Sequence, residues 1–200
     1  MVLAYEYSGA LYINLTNLCT NKCAFCIREH DDGIYSEEPL WLEREPTREE
    51  VLAAAEAMTP KRFREIVFCG YGEPTCRLHD MLWLCRRFRE IAPGVPIRLN
   101  TNGHANLIFG EDVTPLFEGL FDVVSVSMNA ADSDRYNRVC HPRFGDDTFP
   151  AVLKFIRDIQ RHVPEVIVTV VRGSIPDADI PRCADLAKEL NAKFRVREYI

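Results

Sequence analysis

The sequence predicts an α/β fold in which short apolar strands alternate with amphipathic helices. Three observations point there. Strand-sized apolar segments recur along the chain, the longest apolar run being Val166–Val171. Between them lie segments whose apolar residues return every three or four positions, the period of a helix. Gly, Pro or Asn-Gly punctuates most of the junctions. Strand followed by helix, repeated six times over 200 residues, implies a parallel sheet covered by helices on at least one face. Such a chain suits an open doubly wound sheet or a partial barrel, in a single domain over residues 1–200.

The elements follow in order. Leu11–Asn14 is a short β-prone segment that runs into a cysteine-rich loop, and the polar stretch from Glu29 to Arg48 is a connection. Thr47 and Glu50 have the spacing of a capping box, so a helix starts there and covers Arg48–Met58. Glu65–Cys69 reads as a buried strand closed by a glycine-rich turn. His79–Ile91 places Met81, Leu84, Cys85, Phe88 and Ile91 on one helical face before Pro93 and Gly94 stop it. Pro96–Thr101 is a third strand, and a helix near Glu111–Gly119 leads to a fourth, Asp122–Met128. A helical piece at Ser133–Val139 precedes an extended Pro142–Asp147 and the helix Thr148–His162. Val166–Arg172, the helix Asp177–Leu190 and Lys193–Tyr199 complete the pattern.

Composition narrows the class. With 47% hydrophobic and 27% charged residues the chain has an ordinary globular mix, which excludes disorder, collagen and coiled coil. No apolar run approaches the roughly 18 residues of a membrane span, and no basic-then-apolar leader is visible at the N-terminus. The expectation is a soluble, cytoplasmic protein. The net charge of −6 argues against a non-specific nucleic-acid binder. Eight cysteines in 200 residues are too sparse for a disulfide scaffold. Cys19, Cys23 and Cys26 crowd together, whereas Cys69, Cys85 and Cys183 read as core and Cys76 suggests no role.

In parallel α/β folds, ligands bind at the carboxyl ends of the strands, and the unusual residues collect there. The first is C-x3-C-x2-C at Cys19, Cys23 and Cys26. Thiolates are soft ligands that select iron–sulfur clusters, zinc or copper(I). Three on one loop would leave one iron of a four-iron cluster open. A Cys3His zinc site using His30, or a role without metal, are the alternatives. The second is Gly70-Tyr71-Gly72-Glu73-Pro74, where the glycines let a ligand approach and the Glu73 carboxylate could bind an ammonium group; an ordinary turn with a solvated glutamate is the plainer reading. The third is a polar stripe. Asn100 and Asn102 share one parity, as do Ser125, Ser127 and Asn129, while Val124, Val126 and Met128 face the other way. Such a stripe inside an apolar strand needs hydrogen-bond partners, either a bound polar ligand or one another.

Taken together, these residues resemble the radical S-adenosylmethionine superfamily. Its CxxxCxΦC motif matches Cys19 to Cys26 with Phe25 as the aromatic, and its Gly-Gly-Glu-Pro matches Tyr71-Gly72-Glu73-Pro74 with the first glycine replaced. Leu15-Thr16-Asn17, Gly70–Thr75 and Val170–Gly173 also resemble the TatD-associated subfamily. The resemblance implies a (β/α)6 partial barrel. It implies a [4Fe-4S] cluster on Cys19, Cys23 and Cys26 whose fourth iron is chelated by S-adenosylmethionine. By the same resemblance, Gly72 and Glu73 would bind the methionine ammonium, Asn100, Ser127 and Asn129 would contact ribose or carboxylate, and Phe25 and Thr169 would lie near the adenine. The chemistry implied is reductive cleavage to a 5′-deoxyadenosyl radical, which abstracts hydrogen from a substrate. A flavodoxin- or ferredoxin-type reductant is implied as donor, and a functional link to a TatD-type hydrolase follows from the resemblance alone. Activases of glycyl-radical enzymes often carry Asp and Lys where Ser127 and Asn129 stand, so the charge complement to a substrate carboxylate is weaker here or comes from elsewhere; Arg172 is one candidate donor, an ordinary solvated arginine being its plainer reading. A protein loop and a small molecule both remain open as substrate. Cys140, beside His141, is a candidate hydrogen-atom donor.

Overall fold

The computed structural model describes residues 1–29 and 39–198. His30, and Tyr199 at the expected end of the last strand, lie outside the described residues. Among the described residues seven strands form one sheet: β1 (Ala4–Tyr7), β2 (Ala10–Ile13), β3 (Ile66–Phe68), β4 (Ile97–Thr101), β5 (Val123–Ser127), β6 (Glu165–Val171) and β7 (Lys193–Arg197). Their spatial order is the order of the chain, and every pair is parallel except β1 with β2. A doubly wound sheet reverses its strand order partway. This one never does and leaves β1 and β7 as its edges, so it is an open sheet of partial-barrel order.

The helices are α1 (Arg48–Ala57), α2 (Leu78–Ile91), α3 (Ala105–Phe109), α4 (Ser133–Cys140), α5 (Thr148–Ile159) and α6 (Ile180–Glu189). The expected capping box forms: Thr47 Oγ1 accepts from Glu50 N at 3.2 Å and the Glu50 carboxylate accepts from Thr47 N at 2.8 Å. The apolar stripe of α2 is buried as its spacing predicts, and Phe88 meets Phe68 of β3 with ring centroids 6.0 Å apart. Strand residues divide by parity. Ile97 and Leu99 of β4 are buried in the main core, whereas Arg98 and Asn100 line a cavity on the other face. Among the described residues no helix is long and apolar enough to cross a membrane.

Three expectations need correction. The antiparallel β1 was not foreseen. It joins β2 through Ser8 and Gly9, both at positive φ (49° and 74°), a two-residue hairpin turn that Ser-Gly permits. The helix expected near Glu111–Gly119 begins earlier, as α3, and stops at Gly110 in the left-handed conformation (φ 72°). Asp112 then accepts from the Thr114 N and Oγ1, so only a 3-10 turn at Thr114–Phe117 follows. The expected extended run Pro142–Asp147 contains a 3-10 turn at Gly145–Asp147 that leads directly into α5.

Candidate active site

The cysteine loop follows β2 and is fastened on two sides. Toward α4, Lys22 N donates to Cys140 O at 3.0 Å and Ala24 N to Val139 O at 2.9 Å. Toward the turn after β3, Glu73 N donates to Leu18 O at 2.7 Å. These bonds satisfy backbone groups that an irregular loop would otherwise leave exposed. The three thiols Cys19, Cys23 and Cys26 are free, half-buried and face one cavity of about 360 Å3.

The turn after β3 sits close against this loop. A Cβ on Gly72 would meet Thr16 O at 2.2 Å and Leu18 O at 2.7 Å; one on Gly70 would meet Asn14 Oδ1 at 2.1 Å. The glycines therefore admit protein backbone and side chain, where the sequence suggested approach by a ligand. Glu73 is also differently employed. Its buried carboxylate accepts from Thr75 N (3.0 Å), Thr75 Oγ1 (2.7 Å), Thr101 Oγ1 (2.7 Å) and Asn102 N (2.6 Å). Burial pushes its pKa up, and the four donors pull the other way. The solvated-glutamate reading is thereby excluded, and the side chain acts as a clamp between two strand ends.

The polar stripe lies where its parity predicts. Asn100, Ser125, Ser127 and Asn129 all line the cavity with Phe25, Gly72, Glu73 and the cysteines. The side-chain oxygens of Asn21, Asn100 and Asn129 and the Tyr71 hydroxyl, all on this cavity, are buried without a hydrogen-bond partner. Buried polar atoms of this kind cost about 1–3 kcal/mol each when unpaired, which a polar ligand would relieve. Asn129 is set up for this. It holds positive φ (57°), its amide nitrogen donates to Cys140 Sγ at 3.6 Å, and its oxygen is left for the cavity. Thr169 is placed otherwise. It is buried with Oγ1 directed at Val126 O (3.5 Å) and does not line the cavity. Cys140 is fully buried against Cys23 and also off the cavity lining. Arg172 is half-exposed and paired with Glu198 at 3.1 Å.

Behind the loop runs a buried network that the sequence did not reveal. Thr20 Oγ1 and His104 Nδ1 lie 2.7 Å apart, as do His104 Nε2 and Tyr136 OH. Asn21 Nδ2 donates to Tyr136 OH (3.2 Å), and Asn102 Nδ2 to Thr20 Oγ1 (3.0 Å). The network reaches Cys19, whose sulfur accepts from Asn21 N at 3.5 Å. Arg98, Arg195 and Arg197 also line the cavity and were missed. The alternation Lys-Phe-Arg-Val-Arg over 193–197 was the available signal, with charge on the face that other strands give to Asn and Ser.

These residues fit a cluster and a bound cofactor. Burial, then the nearby Glu73 carboxylate, raises the Cys19 thiol to about 11, and contact with Cys140 together with burial raises Cys23 further. Thiolates here need a cationic partner, which a metal centre is. A four-iron cluster spreads three cysteines over three irons.

A model of the Radical SAM superfamily matches residues 13–187. No curated protein matches the chain. Among solved structures, SuiB of Streptococcus suis bound to its precursor peptide SuiA aligns with a TM-score of 0.68 and 16% identity, over 97% of this chain and 40% of that one. A radical SAM methyltransferase from Sphaerobacter thermophilus gives 0.61 and 18%, over 98% and 57%. TsrM from Kitasatospora setae, solved with cobalamin and a [4Fe-4S] cluster bound, gives 0.57 and 17%, over 94% and 36%. This chain thus spans between 36% and 57% of those three, and at such identity the likeness carries the fold, a radical SAM partial barrel. With a family match over most of its length and the motif cysteines on one cavity, the chain belongs to the radical SAM superfamily, whose members use a [4Fe-4S] cluster and S-adenosylmethionine.

Proposed function

We propose that residues 1–200 form one radical SAM core and that this chain cleaves S-adenosylmethionine reductively to abstract hydrogen from a substrate. The observation that carries the reading is the convergence of the three motif thiols with the unpartnered oxygens of Asn21, Asn100 and Asn129 on one cavity. Cys19, Cys23 and Cys26 would hold the cluster. When bound, the cluster and S-adenosylmethionine supply the electron and the hydrogen-abstracting group.

The chain's own residues bind, orient and exclude water. Because the Glu73 carboxylate already accepts four hydrogen bonds, its part in ammonium binding is to hold the Tyr71–Gly72 backbone in place, with carbonyl oxygens as the acceptors. Asn100, Ser127 and Asn129 present polar groups to ribose or carboxylate, and Phe25 gives an apolar wall for adenine. Thr169 contributes from behind: its carbonyl accepts from Asn129 N at 3.1 Å and fixes that turn. The motif text Leu15–Asn17, Gly70–Thr75 and Val170–Gly173 supports the TatD-associated subfamily, and a link to a TatD-type hydrolase rests on that resemblance alone; the reductive chemistry calls for a flavodoxin- or ferredoxin-type reductant.

The test is spectroscopic. After anaerobic reconstitution and reduction, S-adenosylmethionine is expected to change the cluster's EPR spectrum in the unsubstituted protein, and N129A is expected to need at least tenfold more of it. A spectrum indifferent to S-adenosylmethionine would refute the reading.

A further inference from the structure

Arg195 and Arg197 stand two residues apart on the edge strand β7, so they share a face. In register, Arg195 lies beside Thr169 and Arg197 beside Val171. The opposite face of β7 carries Phe194 and Val196, which pack against the core. Both arginines are exposed and both line the cavity. Among the described residues neither guanidinium has a hydrogen bond or an ion pair.

The other charges of the cavity are occupied. Arg98 is held by Glu65 at 3.2 Å and by Tyr12 OH at 3.5 Å. Glu73 accepts its four donors, and Glu198 is paired with Arg172 at 3.1 Å. In a chain of net charge −6, β7 therefore turns a local excess of positive charge toward the cavity. Residues two apart on a strand have Cα atoms about 7 Å apart, near enough for both guanidinium groups to reach one anion. Guanidinium forks pair two N–H groups with two oxygens of a carboxylate or a phosphate. Apart from Tyr5 and Tyr7 on β1 and the paired Glu198, the remaining polar groups of the cavity belong to β2 to β5 and their loops, where the proposed function puts the cluster and S-adenosylmethionine. β7 is separated from β5 by β6 and is left for the other reactant.

We infer that the substrate of this site is an anion whose carboxylate or phosphate group is held by Arg195 and Arg197 on the open edge of the sheet. The inference rests on the radical SAM reading of the cavity. Anchoring at β7 leaves the rest of the substrate lying over β6 and β5, toward Ser127 and Asn129. The charge also steers anions into the cavity, an effect that salt screens.

Calorimetric titration of the anaerobically reconstituted protein, with and without saturating S-adenosylmethionine, tests this. The probes are inorganic pyrophosphate and tricarballylate, one for each anionic group. Saturable binding of at least one is expected, at least tenfold weaker in R195A/R197A and abolished in R195E/R197E, and weakening as salt rises. The probe that binds tells phosphate from carboxylate. Binding of neither, or equal binding by the variants, would overturn the inference. Loss of S-adenosylmethionine binding in R195A/R197A would also overturn it, by assigning the pair to the cofactor. If the unsubstituted protein held no cluster or no S-adenosylmethionine, the proposed function would fail, while the titration without S-adenosylmethionine would still read the anion site.

Discussion

Gly72 lies so close to Thr16 that a Cβ on the glycine would meet the Thr16 carbonyl oxygen at 2.2 Å. This contact and the 2.7 Å bond from Glu73 N to Leu18 O fix the distance between the cysteine loop and the turn after β3. The Glu73 carboxylate then fixes the turn to the end of β4 through Thr101 and Asn102. Three strand ends are thereby locked into one rim before any ligand arrives, which is the preorganisation that a demanding reaction uses.

Gly72→Ala should therefore part the loop from the turn. Backbone on both sides leaves no side chain to move aside, so a loss of about 1–3 kcal/mol of stability is expected. Iron per chain after reconstitution should fall severalfold. A variant with unchanged melting temperature and full iron would show that the contact is dispensable.

His104 should make stability depend on pH. Burial lowers its pKa from the ordinary 6.5 to about 4, so the folded chain keeps the ring neutral between Thr20 and Tyr136. In the unfolded chain the ring takes a proton below about 6.5. The contribution of His104 is therefore full above that pH and is lost as pH falls toward 4, by about 3 kcal/mol in all. Urea unfolding at about pH 7 and about pH 5 measures it. His104→Phe should be less stable at neutral pH, because Thr20 and Tyr136 lose their partner, and its pH dependence over this window should be flatter. Equal slopes for the two proteins would contradict the assignment.

Cys140 is buried against Cys23 and receives Asn129 Nδ2 on its own sulfur; with Cys23 bound to iron as a thiolate, the Cys140 S–H would be the donor of that pair. Hydrogen bonds to ligating sulfurs tune cluster potentials. Cys140→Ala should retain its iron but show a more negative reduction potential in an EPR-monitored redox titration. A hydrogen-atom donor would leave the potential unchanged and stop turnover, and its absence from the cavity lining argues against that role.

Much of this was legible in the sequence, and the illegible parts share a cause. Period-two alternation is a local property, so the parity of Asn100, Ser125, Ser127 and Asn129 could be read directly and places all four on the cavity. The capping box from Thr47 to Glu50 spans four residues and is equally visible. The network of Thr20, Asn21, Asn102, His104 and Tyr136 bonds residues up to 115 positions apart, and no local pattern announces it. Glu73 was correctly singled out, but its four donors come from three residues whose closeness only the assembled rim creates. Arg195 and Arg197 follow the right alternation, but nothing local marks them as site residues, because the cavity beside them is a property of the sheet.

The most direct test of the central claim is release of 5′-deoxyadenosine. The reconstituted protein, given S-adenosylmethionine and dithionite under anaerobic conditions, is compared with Cys23→Ala. Release by the unsubstituted protein and none by the variant is the expected result. A protein that takes up zinc in place of iron, or a reducible cluster that leaves S-adenosylmethionine intact in the presence and absence of anionic metabolites, would contradict the account.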